Sequence, residues 1–351
     1  MKLSSFKYDL PKKSIAKFPV EPRDSSKLLV MDTETGKLKD KMFTDILSEL
    51  SKGDCLVLND TKVFPARLFG NKEKTNAKIE VLLLRELKRE ERLWDVMVEP
   101  ARKVRIGNKI YFDDNRFYCE VIDNTTSRGR TVRFSYDGNL FDEIEKIGEM
   151  PLPDYIDRDT SNIDKLTYQT VFANDEHLQS IAPPNAGLHF TEELLAQIEA
   201  KGVRIAYINL TIGQGVFETI DVEDLTKHRM YSEFFEIPRS SAELINKSLK
   251  SNKRIFAVGT SVVRAVEASV LTTGTIKPNK GWTDKFIYPK YDFQIVTDFL
   301  SNFQYPASPQ ILVSCAFGGK KNTFEAYKHA IKNDYRMLAY GDAILYRAPK
   351  L

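Results

Sequence analysis

Cysteine, histidine and long apolar segments are scarce in this chain, and each scarcity argues against a class of protein. The chain of 351 residues has only Cys55, Cys119 and Cys315, which are odd in number and far apart. Neither a disulfide framework nor a CxxC zinc site is therefore expected. The four histidines show no i,i+4 pairing, so we expect no metal. No apolar run approaches the ~18 residues of a membrane span. The first residues lack a signal-peptide core, which predicts a cytoplasmic protein without a membrane partner.

The glycine-rich loops of common nucleotide-binding enzymes are also missing. No GxGxxG motif follows a strand pattern, and the P-loop, the GxSxG elbow and HExxH do not occur. Hydrophobic residues make up 42% and charged residues 29%, which is ordinary for a folded protein. The net charge of +3 does not by itself predict a nucleic-acid partner unless the basic residues share one face.

Strand and helix patterns change twice along the chain. From about Pro65 to Tyr136 the segments are short, rich in β-branched residues and partly alternating, as in RLWDVMVEP and RTVRFSYDG, which favours a small antiparallel barrel. On both sides of this stretch, strands alternate with helices, which is typical of an α/β layer domain. We therefore predict a mixed α/β layer domain, residues 1–64 and 137–351, with a small antiparallel β-barrel domain inserted at 65–136.

Capping residues predict where several helices begin. Thr44 and Thr191 are placed to accept hydrogen bonds from the first turn of a helix. Ser240 with Glu243 has the spacing of a capping box, and Asn322 marks another helix start.

The stretch IFAVGTSVVRAVEAS predicts an anion site. A strand ends at Gly259, and a helix begins with Thr260 and Ser261, whose free N–H groups favour an anion. Arg264 lies near the positive end of the helix dipole, so it needs a carboxylate or phosphate partner. A plain strand-to-helix turn with a surface arginine is the alternative.

Two further motifs carry polar side chains near element ends. His189 lies in a glycine-containing loop before a helix, where it suits a general base or a donor to substrate, although a structural histidine is the alternative. Asn59, Asp60 and Thr61 follow a buried strand, at the edge where open α/β sheets bind ligands. An Asx turn is the alternative for these residues.

Two basic stretches fit either RNA binding or an ordinary structural use. In ARKVRIGNK the basic residues suit RNA phosphates or a solvated face. In KFIYPKYDF the aromatic residues suit base stacking or core packing. The residues are Arg102, Lys103, Arg105 and Lys109 in the first stretch, and Phe286, Tyr288, Tyr291 and Phe293 in the second.

Long, ordered stretches of this sequence resemble one known family. They are RDSSKLLV after Pro22, LVLNDTKVFPARLFG at 56–70, KIEVLLL at 78–84, PLPDYIDR at 151–158, YQTVFA at 168–173, AGLHFTEELL at 186–195, VGTSVVRAVEA at 258–268 and YRMLAYGDAIL at 335–345. On these stretches the chain resembles the S-adenosylmethionine:tRNA ribosyltransferase-isomerases over nearly its whole length.

The resemblance implies a reaction, its substrates and a fold. The family transfers and isomerises the ribosyl part of S-adenosylmethionine onto 7-aminomethyl-7-deazaguanine at the wobble position of tRNA, a step of queuosine biosynthesis. The products are epoxyqueuosine, adenine and methionine. S-adenosylmethionine is a substrate rather than a methyl donor, no metal takes part, and the partner is tRNA carrying the modified base. The implied fold is an α/β domain with an inserted β-barrel, and we expect a monomer.

The matching motifs supply the candidate site. The candidate catalytic residues are His189, Asp60 and Asp342. The candidate substrate-binding residues are Asn59, Thr61, Arg67, Ala186, Gly187, Gly259, Thr260, Ser261, Arg264, Asn302 and Arg336.

Some motif positions depart from the family pattern. These positions are Asp154, Pro183, Asn185, Thr211, Val216, Tyr231, Ser301 and Gln304. A catalytically altered tRNA- or RNA-binding paralogue is therefore the alternative function. The missing glycine-rich loop disfavours a third one, a conventional methyltransferase.

Overall fold

The computed structural model describes residues 1–113, 116–216 and 219–349. The strands in chain order are β1 (Lys27–Asp32), β2 (Leu38–Met42), β3 (Cys55–Asn59), β4 (Lys62–Val63), β5 (Arg67–Lys72), β6 (Lys78–Lys88), β7 (Leu93–Glu99), β8 (Lys109–Asp113), β9 (Phe117–Asn124), β10 (Gly129–Ser135), β11 (Leu178–Ser180), β12 (Arg204–Leu210), β13 (Glu233–Ile237), β14 (Ile255–Val258), β15 (Asn279–Thr283), β16 (Asp298–Asn302) and β17 (Ala343–Arg347). The α-helices are α1 (Ile46–Glu49), α2 (Leu140–Ile147), α3 (Asp164–Thr167), α4 (Glu192–Ala200), α5 (Arg239–Lys250), α6 (Thr260–Ala268), α7 (Pro309–Gly318) and α8 (Lys320–Lys332). Within these described ranges, no helix is both long and apolar enough to cross a membrane.

A large mixed sheet forms the centre of the first lobe. Its strand order is β15-β13-β12-β3-β14-β16-β17-β1-β2. The middle strands β12, β3, β14 and β16 run parallel to one another. The pair β17 and β1 is parallel within itself but antiparallel to β16, and β13, β15 and β2 pair antiparallel at the two edges. Because the middle strands are parallel, their carboxyl ends meet at one edge of the sheet.

Both faces of this sheet are covered by helices. Along β3, Cys55 and Val57 pack into one apolar cluster with α5 to α8, whereas Leu56 and Leu58 pack into another with α1 and α4. This alternation follows from the pleat, which turns successive side chains to opposite faces. A continuous apolar run such as CLVLN therefore suits a strand buried on both sides.

The second lobe is a closed antiparallel barrel with strand order β10-β7-β6-β5-β8-β9. The predicted fold class, an α/β layer domain with an inserted β-barrel, is confirmed. The apolar core of the barrel also takes in Leu140 and Ile144 of α2, together with Phe64 and Ile181. The domain limits 65 and 136 stay a prediction, since α2 beyond them completes the same core.

The predicted helix starts met different outcomes. The Thr191 cap is confirmed, since its side chain accepts a hydrogen bond from the Leu194 N–H at 3.1 Å. The other starts were misplaced by one to three residues, because Asp45 precedes α1, Pro238 precedes α5 and Gly319 precedes α8.

Candidate active site

Polar residues gather where the parallel strands end. Asn59 ends β3 and Asn302 ends β16, while Gly259 directly follows β14. Gly259 has φ +89° and ψ 156°, a backbone region that is essentially open only to glycine. It turns the chain from β14 straight into α6. Two cavities lie at this edge of the sheet.

The first cavity has a volume of about 350 Å³. Of the predicted site residues, it is lined by Ala186, Gly259, Thr260, Ser261 and Arg264. Because the N-cap residue is Gly259, no N-cap side chain bonds the first turn of α6, which leaves its N–H groups available for an anion. The start of α6 and Ala186 of the AGLHF segment therefore line the same cavity.

Arg264 holds a carboxylate of this same chain. Its guanidinium donates to the carboxylate of Glu233 and to the carbonyl oxygen of Lys285 at 3.0 Å. Both charged side chains are over 90% buried, with exposed fractions of 9% and 7%. Glu233 also accepts from the Gly213 N–H at 3.1 Å and lines both cavities. The sequence predicted that Arg264 needs an anionic partner. It did not identify Glu233, on β13, as that partner.

Asn59 joins three elements at the sheet edge. Its side-chain amide donates to the Leu210 carbonyl at 2.9 Å and to Ser261 Oγ at 3.1 Å. Its oxygen accepts from the Thr61 N–H at 3.2 Å, as an Asx turn would. The Thr61 hydroxyl in turn bonds Ser180 Oγ at 2.6 Å. Asn59 and Thr61 therefore position β12 and α6, and they lie outside the linings of both cavities.

Asp60 forms a pair with His177 beside the second cavity. The Oδ1 of Asp60 lies 2.8 Å from Nδ1 of His177, and the His177 side chain lines the cavity. Burial raises the pKa of Asp60, and the neighbouring His177 opposes that rise. The two residues are 117 positions apart, so no local spacing could have identified His177.

The second cavity, of about 1020 Å³, lies between the barrel and the edge of the sheet. Arg85 and Trp94 line it from the barrel, whereas Asn209 and Trp282 line it from the sheet. The Trp282 side chain is 56% exposed, and the Arg85 guanidinium lies 5.4 Å from its ring centroid.

His189 does not reach either cavity in this structure. Its Nδ1 lies 2.8 Å from Ser26 Oγ, and its ring stacks on Phe43 with centroids 4.8 Å apart. Burial lowers the pKa of His189 to about 3, although a side-chain hydrogen bond with Asn302 acts to raise that pKa. We expected the His189 ring to lie in the substrate pocket. The ring instead fills an apolar site against Phe43. A part for His189 in the chemistry stays a prediction.

Asp342 and Asn302 hold the chain segment that forms one wall of the first cavity. Asp342 accepts from the backbone N–H of Lys27 at 3.0 Å and of Arg336 at 2.7 Å. The Asn302 amide donates to the carbonyl oxygens of Leu338 at 3.0 Å and Ala339 at 3.2 Å. Leu338 and Ala339 line the cavity, so Asp342 and Asn302 hold its wall in place without lining it themselves.

Three other predicted residues also make contacts within the protein. The Arg336 side chain donates to the Phe18 carbonyl at 3.0 Å. Arg67 pairs with Glu80 at 3.0 Å on the barrel. A side chain at Gly187 would meet the ring of Phe172 at 2.8 Å, so close packing requires glycine there. The lining of the two cavities does not include these residues.

The positions that the sequence analysis expects to depart from the family pattern all line one of the two cavities. Asp154, Pro183, Asn185, Val216, Ser301 and Gln304 line the first cavity, and Thr211 and Tyr231 line the second. The expected departures therefore fall on the surfaces of the two cavities.

The two basic or aromatic stretches lie elsewhere. Arg102 and Arg105 line a shallow cavity on the barrel. Phe286, Tyr288, Tyr291 and Phe293 are half-buried and pack against the main core, which supports their structural interpretation. In the ranges that the structure describes, no group of three or more His, Cys, Asp or Glu side chains is arranged to hold a metal ion.

Comparisons with known proteins agree over the length of the chain. A family model described as "Queuosine biosynthesis protein" matches residues 3–346. Relatives from Cytophaga hutchinsonii and Chloroherpeton thalassium, 52% and 53% identical, are each named S-adenosylmethionine:tRNA ribosyltransferase-isomerase. Each match covers 98% of this chain and 99% of the relative. The crystal structure of S-adenosylmethionine tRNA ribosyltransferase from Thermotoga maritima is 31% identical, covers 97% of this chain and 99% of its own, and gives a TM-score of 0.54.

Proposed function

The chain belongs to the queuosine biosynthesis protein family, and on that premise we propose the reaction that it catalyses. It is an S-adenosylmethionine:tRNA ribosyltransferase-isomerase. It moves the ribosyl group of S-adenosylmethionine onto 7-aminomethyl-7-deazaguanine at the wobble position of tRNA and rearranges it. The products are epoxyqueuosine in tRNA, free adenine and free methionine.

The observation that carries this proposal is the cavity at the uncapped start of α6. We assign S-adenosylmethionine to this first cavity, with its methionine carboxylate at the N–H groups beside Thr260 and Ser261. The volume of about 350 Å³ falls within the usual range of small-ligand pockets, about 300–1,000 Å³. Pro183, Pro184 and Tyr155 give the same cavity an apolar surface for the adenine.

The chemistry of the reagent fits an enclosed site. The positive sulfur acidifies the neighbouring 5′ carbon, so that a modest base is enough to begin the reaction. Opening of the ribose ring and closure of the epoxide require proton transfers in a place that excludes bulk water. Buried side chains such as Leu210 and Ile212 line the cavity and support such exclusion.

A product analysis tests the proposal. The protein is incubated with S-adenosylmethionine and tRNA that carries 7-aminomethyl-7-deazaguanine, and the digested nucleosides are analysed by mass spectrometry. We expect epoxyqueuosine, with one adenine and one methionine released for each. A label on the methyl group of S-adenosylmethionine should leave with methionine, and label retained in tRNA would instead show a methyltransferase. Matched tRNA with guanine at the wobble position is the control and should give no product.

The substituted cavity positions favour one second candidate, a paralogue that binds tRNA without the reaction. Thr211, Tyr231 and Gln304 cannot act as an imidazole base near neutral pH. The same experiment separates the two functions. Retention of tRNA on a filter with S-adenosylmethionine left intact would favour the paralogue.

A further inference from the structure

The second cavity, defined by Arg85, Trp94, His177, Asn209 and Trp282, has more acidic than basic side chains. Its carboxylates are Glu86, Asp95, Asp175, Glu176, Glu233 and Glu236. Three basic residues line it, and all three are paired with its carboxylates: Arg85 with Asp95 at 3.0 Å, Arg89 with Glu86 at 3.5 Å and Lys280 with Glu236 at 2.8 Å. Asp175 and Glu233 are also paired, with Lys62 and Arg264, so among the described residues Glu176 is the lining carboxylate without an ion pair. Because every basic side chain that lines the cavity is already neutralised, the cavity disfavours a phosphate, and Glu176 favours a cationic ligand.

A buried amide donor marks a place for a polar ligand atom in this cavity. Asn209 is 2% exposed and lines the cavity. Its side chain makes a weak hydrogen-bonding interaction with Asp60 that opposes the rise in the pKa of Asp60, but its nitrogen has no acceptor at normal hydrogen-bond geometry among the described residues. A buried donor without an acceptor costs stability, so such a group commonly serves a ligand. A carbonyl oxygen of a nucleobase would satisfy it.

The His177–Asp60 pair presents a proton acceptor to the same cavity. When the Asp60 carboxylate accepts a hydrogen bond from Nδ1–H, the neutral imidazole has its lone pair on Nε2. Nε2 has no hydrogen-bond partner among the described residues, and the His177 side chain is 24% exposed. Asp60 thus fixes the tautomer in which His177 is able to accept a proton.

We propose that the second cavity binds the 7-aminomethyl-7-deazaguanine base, and that His177 accepts a proton from its ammonium group. In this step one N–H bond of the ammonium breaks, the proton passes to Nε2 of His177, and the electron pair stays on nitrogen. The neutral amine is then able to form the new bond to the ribosyl carbon. The inference rests on the proposed function, and it makes His177 a catalytic residue and Asp60 a positioning residue.

The arrangement of the two cavities supports this assignment. Glu233 lines both, so ligands in the two cavities would approach each other beside it. The exposed Trp282 ring offers a face on which a base extruded from the anticodon loop is able to stack.

Single-turnover rates with saturating S-adenosylmethionine and modified tRNA test the proton transfer. We expect His177→Ala to slow product formation by about 100-fold or more, within the range for a lost general base. Added imidazole should restore part of the rate in His177→Ala, but not in His177→Gln, whose side chain fills the space. Asp60→Asn should shift the pH profile of the rate, a change that a merely structural role would not produce. The affinity for S-adenosylmethionine, measured by calorimetry, should stay unchanged because His177 lies outside the first cavity.

A matched control is available at a second histidine–carboxylate pair. His329 Nε2 lies 3.0 Å from Asp40 at the surface of α8, outside both cavities. His329→Ala should keep the parent rate. A His177→Ala rate within about threefold of the parent, or the absence of imidazole rescue in a folded variant, would overturn the role of His177.

A binding measurement distinguishes failure of this inference from failure of the proposed function. Free 7-aminomethyl-7-deazaguanine should bind the wild-type protein at least about tenfold more tightly than its neutral 7-cyano analogue, and Asn209→Ala should weaken it about tenfold. Equal binding of the two bases, or no effect of Asn209→Ala, would overturn the cavity assignment. A wild-type protein that shows this binding but forms no epoxyqueuosine would contradict the proposed reaction while supporting the cavity.

Discussion

The Arg264–Glu233 pair shows how much depends on single buried charges near the first cavity. Neither charge has much access to water, and each is held by further hydrogen bonds, to Lys285 and to Gly213. Such a pair contributes little net stability, but removal of one partner leaves an uncompensated buried charge. Glu233 in turn lines both cavities, so the pair links folding to ligand binding.

We predict that Arg264→Ala lowers the free energy of unfolding by about 3–5 kcal/mol, because Glu233 remains buried without its partner. If the guanidinium contacts an anionic group of the substrate, Arg264→Ala should also lower kcat/KM by an amount equivalent to about 1.5–3 kcal/mol. Urea unfolding measures the first effect, and kcat/KM measures the second. The double variant Arg264→Met, Glu233→Leu should lose less stability than the sum of the single variants. Strict additivity would show that the pair is not coupled.

The buried His189 should make stability depend on pH. Its pKa is lowered from 6.5 to about 3 in the folded protein, chiefly by burial, so the unfolded chain binds the additional proton between these values. Stability is therefore fully present above about pH 6.5 and falls as the pH decreases, by up to about 1.4 kcal/mol per pH unit.

We predict that His189→Asn removes this slope between pH 6.5 and 5, where few carboxylates titrate. Denaturant unfolding at a series of pH values measures how the free energy of unfolding depends on pH. An unchanged slope in the variant would mean that His189 is not the group that takes up the proton. Single-turnover rates of His189→Ala and His189→Gln test its part in the chemistry separately, and near-normal rates would exclude it.

Among the elements, the junction of β14 and α6 most directly determines the first cavity. β14 is a central parallel strand, and α6 packs its buried face against the same core. The turn between them consists of Gly259 alone, whose positive φ lets the first N–H groups of α6 face the cavity.

We predict that Gly259→Ala weakens S-adenosylmethionine binding by at least about tenfold, since its backbone geometry costs a non-glycine residue about 1–3 kcal/mol. The added methyl group has room, because its nearest neighbours are Ser261 Oγ at 3.7 Å and Pro184 Cβ at 3.9 Å. The loss would therefore come from backbone geometry rather than from a clash. Calorimetry measures the binding, and Gly274→Ala, at a positive-φ turn outside both cavities, is the matched control. Equal losses in the two variants would contradict the special role of Gly259.

For the whole molecule, the division into two lobes is set by where the apolar cores end. The barrel strands run from Arg67 to Ser135, but Leu140 and Ile144 of α2 belong to the same core. Asn139 caps α2 by accepting from the Phe141 N–H at 3.0 Å, so α2 is a defined element of this lobe.

We predict that a fragment of residues 64–148 folds, and that a fragment of residues 65–136 is much less stable. The shorter fragment lacks α2, and each fully buried aliphatic side chain contributes about 1.5–3 kcal/mol. Thermal unfolding followed by circular dichroism compares the fragments. A matched 64–148 fragment with Ile144→Asp should behave like the shorter one. Equal stability of the two fragments would instead support 136 as the domain limit.

The chain sequence by itself determined the elements whose signals are local. The strand at Cys55–Asn59, the Thr191 cap and the barrel follow from apolar periodicity and turn residues that are close in sequence. The resemblance of whole motifs to those of known proteins identified the family. Helix starts were less certain, because several residues within one to three positions compete to begin a helix.

Only the tertiary structure decided which side chains meet. Glu233 reaches Arg264 from 31 positions away, and His177 reaches Asp60 from 117. The order of strands in the sheet brings these residues together, and no spacing in the sequence encodes that order. His189, whose motif favoured a catalytic place, is instead buried against Phe43. Burial and long-range pairing are properties of the packed chain, since they depend on which elements become neighbours after folding.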